Sequence, residues 1–399
     1  MAREYKDSGI EWIGQIPKEW EVNKIGNLYQ VRNEKVSDKD YPPLSVTMNG
    51  IVPQLETAAK TNNGDDRKLV CKGDFAINSR SDRRGSCGVS QYDGSVSLIN
   101  TILKPRGSMN PQYYNWLFHT ELFADEFYRW GHGIVDDLWT TRWQEMKNIS
   151  IVSPSLPEQQ KIADYLDKVC GEVDEMVALQ ETMIEELKAY KQSVITEAVT
   201  KGLNPNVPMR NSGIDWIGEI PEHWSVCRIK DLANLQSGTN LTSNDITDAG
   251  DYPVYGGNGL RGYYSKYLID GDFILIGRQG ALCGNINYAS GKFWPTEHAV
   301  VCYPKRRFEL KWLGELLRAM NLGQYSLSSA QPGLAVERIK NLYMPYPSEK
   351  EQRAIASYLD TKCSEIDSLI ALKQAKIEEL KEYKKSVIYE YVTGKKEVV

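Results

Sequence analysis

The stretch from Ser155 to Thr200 limits what this chain can fold into more than any other, because it predicts one very long helix. Its apolar residues recur every three or four positions over about four heptads, which is typical of a coiled coil. Ser155 and Glu158 match a capping box, and Pro157 suits the first helical turn. About 45 residues at ~1.5 Å each give a rod of roughly 65 Å. A rod of that length in a soluble protein needs a partner helix.

The chain contains that partner between Ser348 and Thr393, where the same pattern returns at an offset of 193 positions (348 minus 155). The alternative is two unrelated surface helices rich in Glu and Lys, but composition alone does not produce a match over about 45 positions. Because shared polar positions penalise slippage, we expect the two helices to pack in one register. The predicted seam comprises Val173, Val177, Gln180, Ile184, Leu187 and Val194 in the first helix and Ile366, Ile370, Lys373, Ile377, Leu380 and Val387 in the second.

A tryptophan motif precedes each half of the chain. Ser8–Trp20 reads SGIEWIGQIPKEW and Ser212–Trp224 reads SGIDWIGEIPEHW, with nine identical positions. Gly and Pro exclude regular structure there, so we expect the Trp and Ile side chains to dock onto a domain or a helix base rather than to bind a ligand. Breakers at 202–208 predict a linker. The chain is therefore a tandem repeat of tryptophan motif, variable domain and long helix, and a period of about 200 residues excludes a solenoid.

The two variable domains resemble each other only in outline. Both contain short apolar runs between Gly, Asn and Asp, so we expect α+β domains with a mixed, curved sheet. Leu98–Leu103 and Ala299–Tyr303 predict buried strands, whereas Pro111–Trp130 and Phe308–Met320 predict helices. The repeat divides the chain into a first domain at 1–154, a first long helix at 155–201, a linker with a second domain at 202–347, and a second long helix with a tail at 348–399.

Composition places few limits on function. A net charge of −5 would argue against a nucleic-acid binder. Residues 157–201, however, hold 10 acidic and 5 basic side chains, so the rest of the chain is close to neutral. Seven cysteines without a C-x-x-C pair favour reduced thiols. No apolar run is long enough for a bilayer and the N-terminus lacks a signal-peptide core, so we expect a cytoplasmic protein.

One local match joins the two variable domains. Lys72–Arg80 aligns with Asp270–Arg278, and in both a Gly-Asp turn precedes a short buried strand and an arginine that enters a Gly-rich loop. Arginine suits bidentate contacts with guanine or phosphate, and glycine permits close backbone approach. The alternative is a hairpin whose arginine is merely solvated. The candidate DNA-binding residues are Asn78, Ser79, Arg80, Arg83 and Arg84 in the first domain and Arg261, Arg278 and Gln279 in the second.

No catalytic constellation emerges from the sequence. Residues 257–262 match G-x-G-x-x-G, but no apolar helix follows, so we interpret them as a loop that faces DNA through Arg261 and Tyr263. Walker A and adenine-methyltransferase motifs are absent, and the E-x-K triplet recurs inside the long helices, which leaves it little weight. The four histidines lack metal-ligand spacing. We therefore expect no catalytic residue, no metal and no cofactor in this chain.

The order of these motifs resembles the specificity subunit of type I restriction–modification systems. The resemblance spans essentially the whole chain and rests on Ser8–Trp20, Ser212–Trp224, Leu156–Asp167 and Pro347–Asp360. The second helix departs slightly, with Ser-Glu-Lys-Glu-Gln in place of a Leu-Pro lead. The resemblance implies an α+β fold with two α/β target recognition domains, joined by two long antiparallel coiled-coil helices in a pseudo-twofold tandem repeat.

The resemblance also implies a function without catalysis. Each domain would read one half of a bipartite, asymmetric site in double-stranded DNA, and the helices would set the spacing. Two methyltransferase (modification) subunits would flank the chain and restriction subunits would join them. S-adenosylmethionine would belong to the modification subunits, and ATP and Mg to the restriction subunits. Two alternatives stay open: a coiled-coil scaffold with two protein-binding domains, and a single-chain restriction enzyme, which the missing motifs disfavour.

Overall fold

The computed structural model describes residues 3–54, 64–133, 139–280, 282–326 and 333–398. Its contacts divide the chain into two compact units, and the division cuts both long helices. Unit 1 comprises Met1–Gln180 and Ala375–Val399, and unit 2 comprises Glu181–Gln374. The long helices are α5 (Leu156–Lys201) and α9 (Glu349–Val392). Each unit therefore contains one domain and a segment of each helix, while the four linear segments drawn from the sequence stay a prediction.

Unit 1 is built on antiparallel sheets, and all of its described ladders are antiparallel. Its main sheet has the order β10-β9-β12-β4, a second has the order β11-β8-β5, and the remaining strands pair in twos. The elements are β1 (Tyr5–Asp7), β2 (Gln15–Pro17), β3 (Glu21–Lys24), α1 (Ile25–Leu28), β4 (Tyr29–Arg32), β5 (Lys35–Val36), β6 (Leu44–Thr47), β7 (Gly50–Pro53), β8 (Arg67–Val70), β9 (Phe75–Asn78), β10 (Cys87–Val89), β11 (Gly94–Val96), β12 (Asn100–Pro105), α2 (Pro111–Phe118), α3 (Glu121–Arg129), α4 (Trp143–Met146) and β13 (Ser150–Ser153).

Unit 2 repeats the plan with a mixed sheet. One sheet has the order β17-β24-β21-β22, and the other, β19-β18-β23-β20, includes a parallel pair between β18 and β23. The elements are β14 (Met209–Asn211), β15 (Glu219–Pro221), β16 (Ser225–Arg228), α6 (Ile229–Leu232), β17 (Ala233–Ser237), β18 (Tyr252–Gly256), β19 (Gly259–Tyr264), β20 (Ile269–Asp270), β21 (Phe273–Gly277), β22 (Ile286–Ala289), β23 (Lys292–Pro295), β24 (Ala299–Pro304), α7 (Leu310–Ala319), α8 (Val336–Ile339) and β25 (Tyr343–Tyr346).

Two sequence-based expectations need correction in unit 1. The strand expected at 98–103 starts two residues later, because Leu98 lies in a turn and is 39% exposed. The single helix expected at 111–130 is two helices, α2 and α3. Thr120 separates them by capping α3, since its hydroxyl accepts a hydrogen bond from the Phe123 amide at 3.2 Å.

The two helix segments of each unit run antiparallel. In unit 1 the ring centroids of Tyr165 and Tyr391 lie 4.4 Å apart, and Lys384 Nζ donates to Asp174 at 2.6 Å, so residue numbers rise along α5 as they fall along α9. In unit 2, Lys191 Nζ bonds Asp367 at 2.6 Å. The seam residues Val173, Ile184, Val194, Ile366, Ile377, Leu380 and Val387 are buried, and Val177, Gln180, Leu187, Ile370 and Lys373 are half-buried.

The tryptophan motif of each unit docks at the start of a long helix. Trp20 is fully buried, and its Nε1–H donates to Glu158 of α5 at 2.8 Å. Arg3 bonds the other oxygen of the same carboxylate at 2.5 Å. The Glu158 amide donates to the Ser155 carbonyl at 2.9 Å, and the described residues show neither of the two side-chain bonds of a capping box between Ser155 and Glu158, so the capping box predicted for the first helix is wrong. Its glutamate is used to hold the motif instead.

In unit 2 the contact between the motif tryptophan and the helix glutamate coexists with a capping box at the start of α9. Trp224 Nε1–H donates to Glu351 of α9 at 3.0 Å, and His223 bonds the same oxygen at 2.8 Å. The second carboxylate oxygen accepts the Ser348 hydroxyl at 2.7 Å, and the Glu351 amide donates back to that hydroxyl at 3.3 Å. Glu351 therefore joins the motif, the helix cap and the domain at one point.

We expect Glu351 to make unit 2 sensitive to acid. Burial alone would raise the pKa of Glu351, but hydrogen bonds from Trp224, His223 and Ser348 hold it at about 2, below the ordinary 4.5. A depressed pKa contributes stability that is present above about pH 4.5 and lost as pH falls towards 2. Denaturant unfolding at pH 7 and pH 3 should show a smaller acid-induced loss in Glu351→Gln than in the wild type. The control is Glu349→Gln, an exposed neighbour that should behave like the wild type; an unchanged loss in Glu351→Gln would contradict the assignment.

Candidate nucleic-acid interface

The arginine loop of unit 1 begins where the buried strand β9 ends. The Asn78 carboxamide accepts the Arg80 amide at 3.0 Å, which orients the backbone as it leaves the sheet. Arg80 is exposed, and its side chain has no hydrogen-bond or ion-pair partner among the residues that the structure describes. Arg84 forms an ion pair with Asp125, and Arg83 is 70% exposed. Arg80 is thus the arginine of this loop most available to a ligand.

Ser79 does not lie on this surface. It is 9% exposed, and its hydroxyl lies 2.9 Å from that of Thr101 on the neighbouring strand. Its polar group is used inside the sheet, which removes Ser79 from the candidate contacts. Asn78 is half-buried and acts through its bond to the Arg80 backbone.

The corresponding loop of unit 2 leaves the end of β21. The Arg278 amide donates to the His298 carbonyl at 2.8 Å, and the Arg278 carbonyl accepts the Leu334 amide at 2.9 Å. Its guanidinium is half-buried and lies 3.3 Å from the Ser237 hydroxyl. Gln279, the next residue, is exposed. Hydrogen bonds to His298 and Leu334 therefore fix the Arg278 backbone, while the side chains of Arg278 and Gln279 retain donors for a ligand.

The glycine-rich stretch 257–262 forms the turn and second strand of the β18–β19 hairpin. Gly256 pairs with Gly259, so a strand rather than a helix follows the turn, and a dinucleotide fingerprint is excluded. Arg261 is exposed on β19 and bonds the Ser243 hydroxyl at 2.9 Å, and Tyr263 is half-buried. The hairpin lines an open groove of about 540 Å³ together with Gln279, Gly280 and His298. The structure therefore brings Arg261 and Gln279 to one groove.

The described cysteines and acids do not assemble into a reactive centre. All seven cysteines are free. Burial raises the pKa of Cys302 to about 12 and that of Cys170 and Cys227 to about 11, so these thiols stay protonated at neutral pH. Within the described ranges, no group of His, Cys, Asp and Glu could hold a metal ion. None of the described helices combines the length and the apolar character needed to cross a membrane.

Sequence reasoning missed one feature of this surface. In unit 1 the β6–β7 hairpin turns at Met48 and Asn49 and packs beside the arginine loop, where Gly50 and Gly88 approach closely. The available signal was Asn49 followed by Gly50, a dipeptide typical of hairpin turns. The second domain shares only this dipeptide, at Asn258 and Gly259, so comparison of the two halves did not reveal the hairpin.

Known proteins resemble the chain in sequence and in fold. The profile of the type I restriction modification DNA specificity domain matches residues 17–189 and 221–382. The EcoprrI specificity subunit of Escherichia coli is 42% identical over 134 residues, and that match spans only 33% of either chain. The MjaVIII specificity subunit of Methanocaldococcus jannaschii is 23% identical over 423 aligned positions, which cover 96% of this chain and 94% of that one.

Two solved structures share the fold. A chain from a study of complex assembly and conformational transition in the type I R-M system superposes with a TM-score of 0.73 at 14% identity, over 94% of this chain and 98% of that one. The HsdS subunit of Thermoanaerobacter tengcongensis superposes with a TM-score of 0.53 at 16% identity, over 95% and 98%. Since the family profile covers most of both halves, the chain belongs to the DNA specificity subunits of type I restriction–modification systems.

Proposed function

We propose that the chain reads a bipartite, asymmetric sequence in double-stranded DNA, one half in each unit, and supplies no catalysis itself. One observation carries the proposal. Arg80 and Arg278 follow equivalent buried strands, whose last residues pair with the first residue of β12 and of β24, respectively. The same frame thus presents an arginine from two loops of different sequence. Two different loops on one frame are suited to two different half-sites.

The distribution of charge supports contact with DNA. The acidic excess of the chain lies in 157–201, and the arginines of the two loops lie outside it. Phosphate contacts fix the register of a protein on DNA, whereas contacts to base edges carry the sequence information. Arg83 and Arg84 follow Arg80, are 70% and 50% exposed, and form ion pairs with Asp82 and Asp125, which phosphate oxygens could replace. Arg80 is left for the base edges.

Repeated apolar positions on the helices support two copies of one partner. Unit 1 exposes Met176, Leu179 and Tyr383, at 47%, 53% and 51%. Unit 2 exposes the residues 193 positions away from these three, and their side chains are 46–67% exposed. In both units these side chains flank the seam. A large apolar side chain repeated in solvent at the same place suits a protein contact made twice. The unit 2 counterparts are Leu369, Leu372 and Tyr190.

We infer that the two partners are modification subunits that hold S-adenosylmethionine, and that restriction subunits with ATP and Mg join the complex. The solved structure that superposes with a TM-score of 0.73 comes from a study of complex assembly in the type I R-M system, which supports this inference. The free cysteines support a reducing compartment, so we place the complex in the cytoplasm. A protein-binding scaffold is not favoured, because it leaves the paired arginine loops without a role.

The proposal is tested with the chain purified in complex with its modification subunits. The complex is incubated with a pool of randomised duplexes at low salt, and the retained duplexes are sequenced against excess competitor DNA. We expect enrichment of one sequence with two defined parts and an undefined spacer. The modification subunits alone are the control and should enrich nothing. Retention of all duplexes alike would overturn the proposal.

A further inference from the structure

The two units share a second feature beside their arginine loops, a β-hairpin with an asparagine in its two-residue turn. Asn49 occupies this place between β6 and β7, and Asn258 occupies it between β18 and β19. In both hairpins the next residue is a glycine with positive φ, +100° at Gly50 and +96° at Gly259. We propose that Asn49 and Asn258 each read an adenine in the major groove, one in each half-site. This inference rests on the DNA-reading function proposed above.

The hairpin turns present their side chains to solvent. Asn49 and Asn258 are both exposed. Each has a large apolar neighbour that is also exposed, Met48 at 69% in unit 1 and Leu260 at 55% in unit 2. An apolar side chain beside an amide at a protruding turn has no role in the core. It is placed to touch a ligand that offers both polar and apolar groups.

The backbone of each turn is satisfied locally, which leaves the asparagine amide for a ligand. In unit 1 the Thr47 hydroxyl donates to the Gly50 carbonyl at 2.9 Å and accepts the Asn49 amide at 3.1 Å. The Asn49 carboxamide itself has no partner among the described residues. In unit 2 the side-chain Oδ1 of Asn258 accepts from Asn285 Nδ2 at 3.1 Å, so that oxygen is positioned, and its second lone pair and both N–H donors of Asn258 remain.

Each hairpin lies against the arginine loop of its own unit. In unit 1 a Cβ on Gly88, in the strand after the loop, would come within 2.8 Å of the Gly50 Cα. In unit 2 the Gly257 carbonyl occupies the space beside Gly277, the residue before Arg278. Glycine is required at these positions because any side chain would push the hairpin away. Each hairpin therefore packs against the strands that carry the arginine loop of its own unit.

The chemistry of each hairpin turn matches an A·T pair. The major groove admits a two-stranded β-ribbon, and β6–β7 is such a ribbon, whereas in unit 2 β19 is the edge strand of a four-stranded sheet with β18 beside it. Asparagine bonds adenine at both N6 and N7, and an apolar side chain contacts the methyl group of thymine. Asn49 with Met48, and Asn258 with Leu260, supply these two contacts. The neighbouring arginine is then free for a guanine or a phosphate.

The test uses the complex with modification subunits and duplexes that carry the enriched sequence. Each adenine is replaced in turn by 7-deazaadenine, which lacks the N7 acceptor. Asn49→Ala should weaken binding to the cognate duplex by roughly 5- to 150-fold, with the loss confined to the first half-site. At one adenine of that half-site, replacement by 7-deazaadenine should weaken DNA binding by the wild-type complex. The same replacement should not weaken binding by the Asn49→Ala complex any further. Asn258→Ala should behave in the same way in the second half-site.

Controls separate the possible outcomes. Asn33→Ala and Asn206→Ala remove exposed asparagines elsewhere in each unit and should leave sequence preference unchanged. If the wild type selects a sequence but Asn49→Ala and Asn258→Ala select it equally well, the inference is wrong and the proposed function stands. Equal weakening on all duplexes would indicate phosphate contact and also overturn it. If the wild type selects no sequence, the proposed function itself fails.

Discussion

Replacing Trp224 with alanine should lower the free energy of unfolding of unit 2 by about 3–5 kcal/mol. The side chain is 2% exposed and belongs to the core cluster of unit 2. Its ring lies against Gly202, where an added Cβ would come within 3.0 Å. Its N–H bonds Glu351, so the substitution leaves a cavity and removes one of the donors that hold this carboxylate. Denaturant titration with peptide-resolved hydrogen exchange measures the loss and locates it.

Variants in the same motifs sharpen this prediction. Trp216→Ala removes a half-buried tryptophan and should cost distinctly less. Trp224→Phe keeps most of the ring volume but loses the N–H donor, so its loss in free energy of unfolding should lie between those of Trp216→Ala and Trp224→Ala. Trp20→Ala should produce the loss in unit 1 instead, because Trp20 bonds Glu158 there. A loss of protection spread evenly over both units after Trp224→Ala would disprove the local role.

Replacing Arg80 or Arg278 with alanine should relax recognition of one half-site only. Each arginine is presented by one unit, and a bidentate contact with a base discriminates by about 1–3 kcal/mol, or roughly 5- to 150-fold. Arg80→Ala should therefore lose preference in one half of the enriched sequence, and Arg278→Ala in the other. Randomised-duplex selection with each variant complex gives the preference at every position.

Lysine variants show whether the contact is to a base or to a phosphate. Arg80→Lys keeps the charge but not the planar fork, so it should fail to restore a base contact and largely restore a phosphate contact. Arg129→Ala and Arg353→Ala remove arginines whose side chains are 60% and 69% exposed elsewhere in each unit and should change no preference. If Arg80→Ala and Arg278→Ala impair both half-sites equally, the assignment of one unit to each half-site is wrong.

Local periodicity explains why the long helices could be predicted. The heptad pattern and the capping signals are properties of consecutive residues. The cross-helix partners could not be predicted in this way, because the bonds of Lys191 and Lys384 to Asp367 and Asp174 depend on which residues meet across the pair. The same holds at Glu158, whose capping role gave way to Trp20, 138 positions away.

The candidate interface was predictable only where the two domains still match in sequence. Arg80 and Arg278 follow matching strands, and alignment of the halves found both. Ser79 was misplaced because its direction is set by pairing with β12, which brings it to Thr101. The hairpins at Asn49 and Asn258 share only an Asn-Gly dipeptide, too little for alignment. Their equivalence is visible in the backbone and in the glycines that let them pack.

The reciprocal ion pairs of the helices have a consequence for the origin of the chain. Each pair joins a lysine of one helix to an aspartate of the other, and the two lysines, like the two aspartates, are the same position in successive repeats. An isologous dimer contact has this property, because residue i meets j and j meets i. The helix pair of this one polypeptide thus has the contact symmetry of a dimer of identical chains. A substitution there has a natural twin, and the unaltered twin serves as an internal reference within the same molecule.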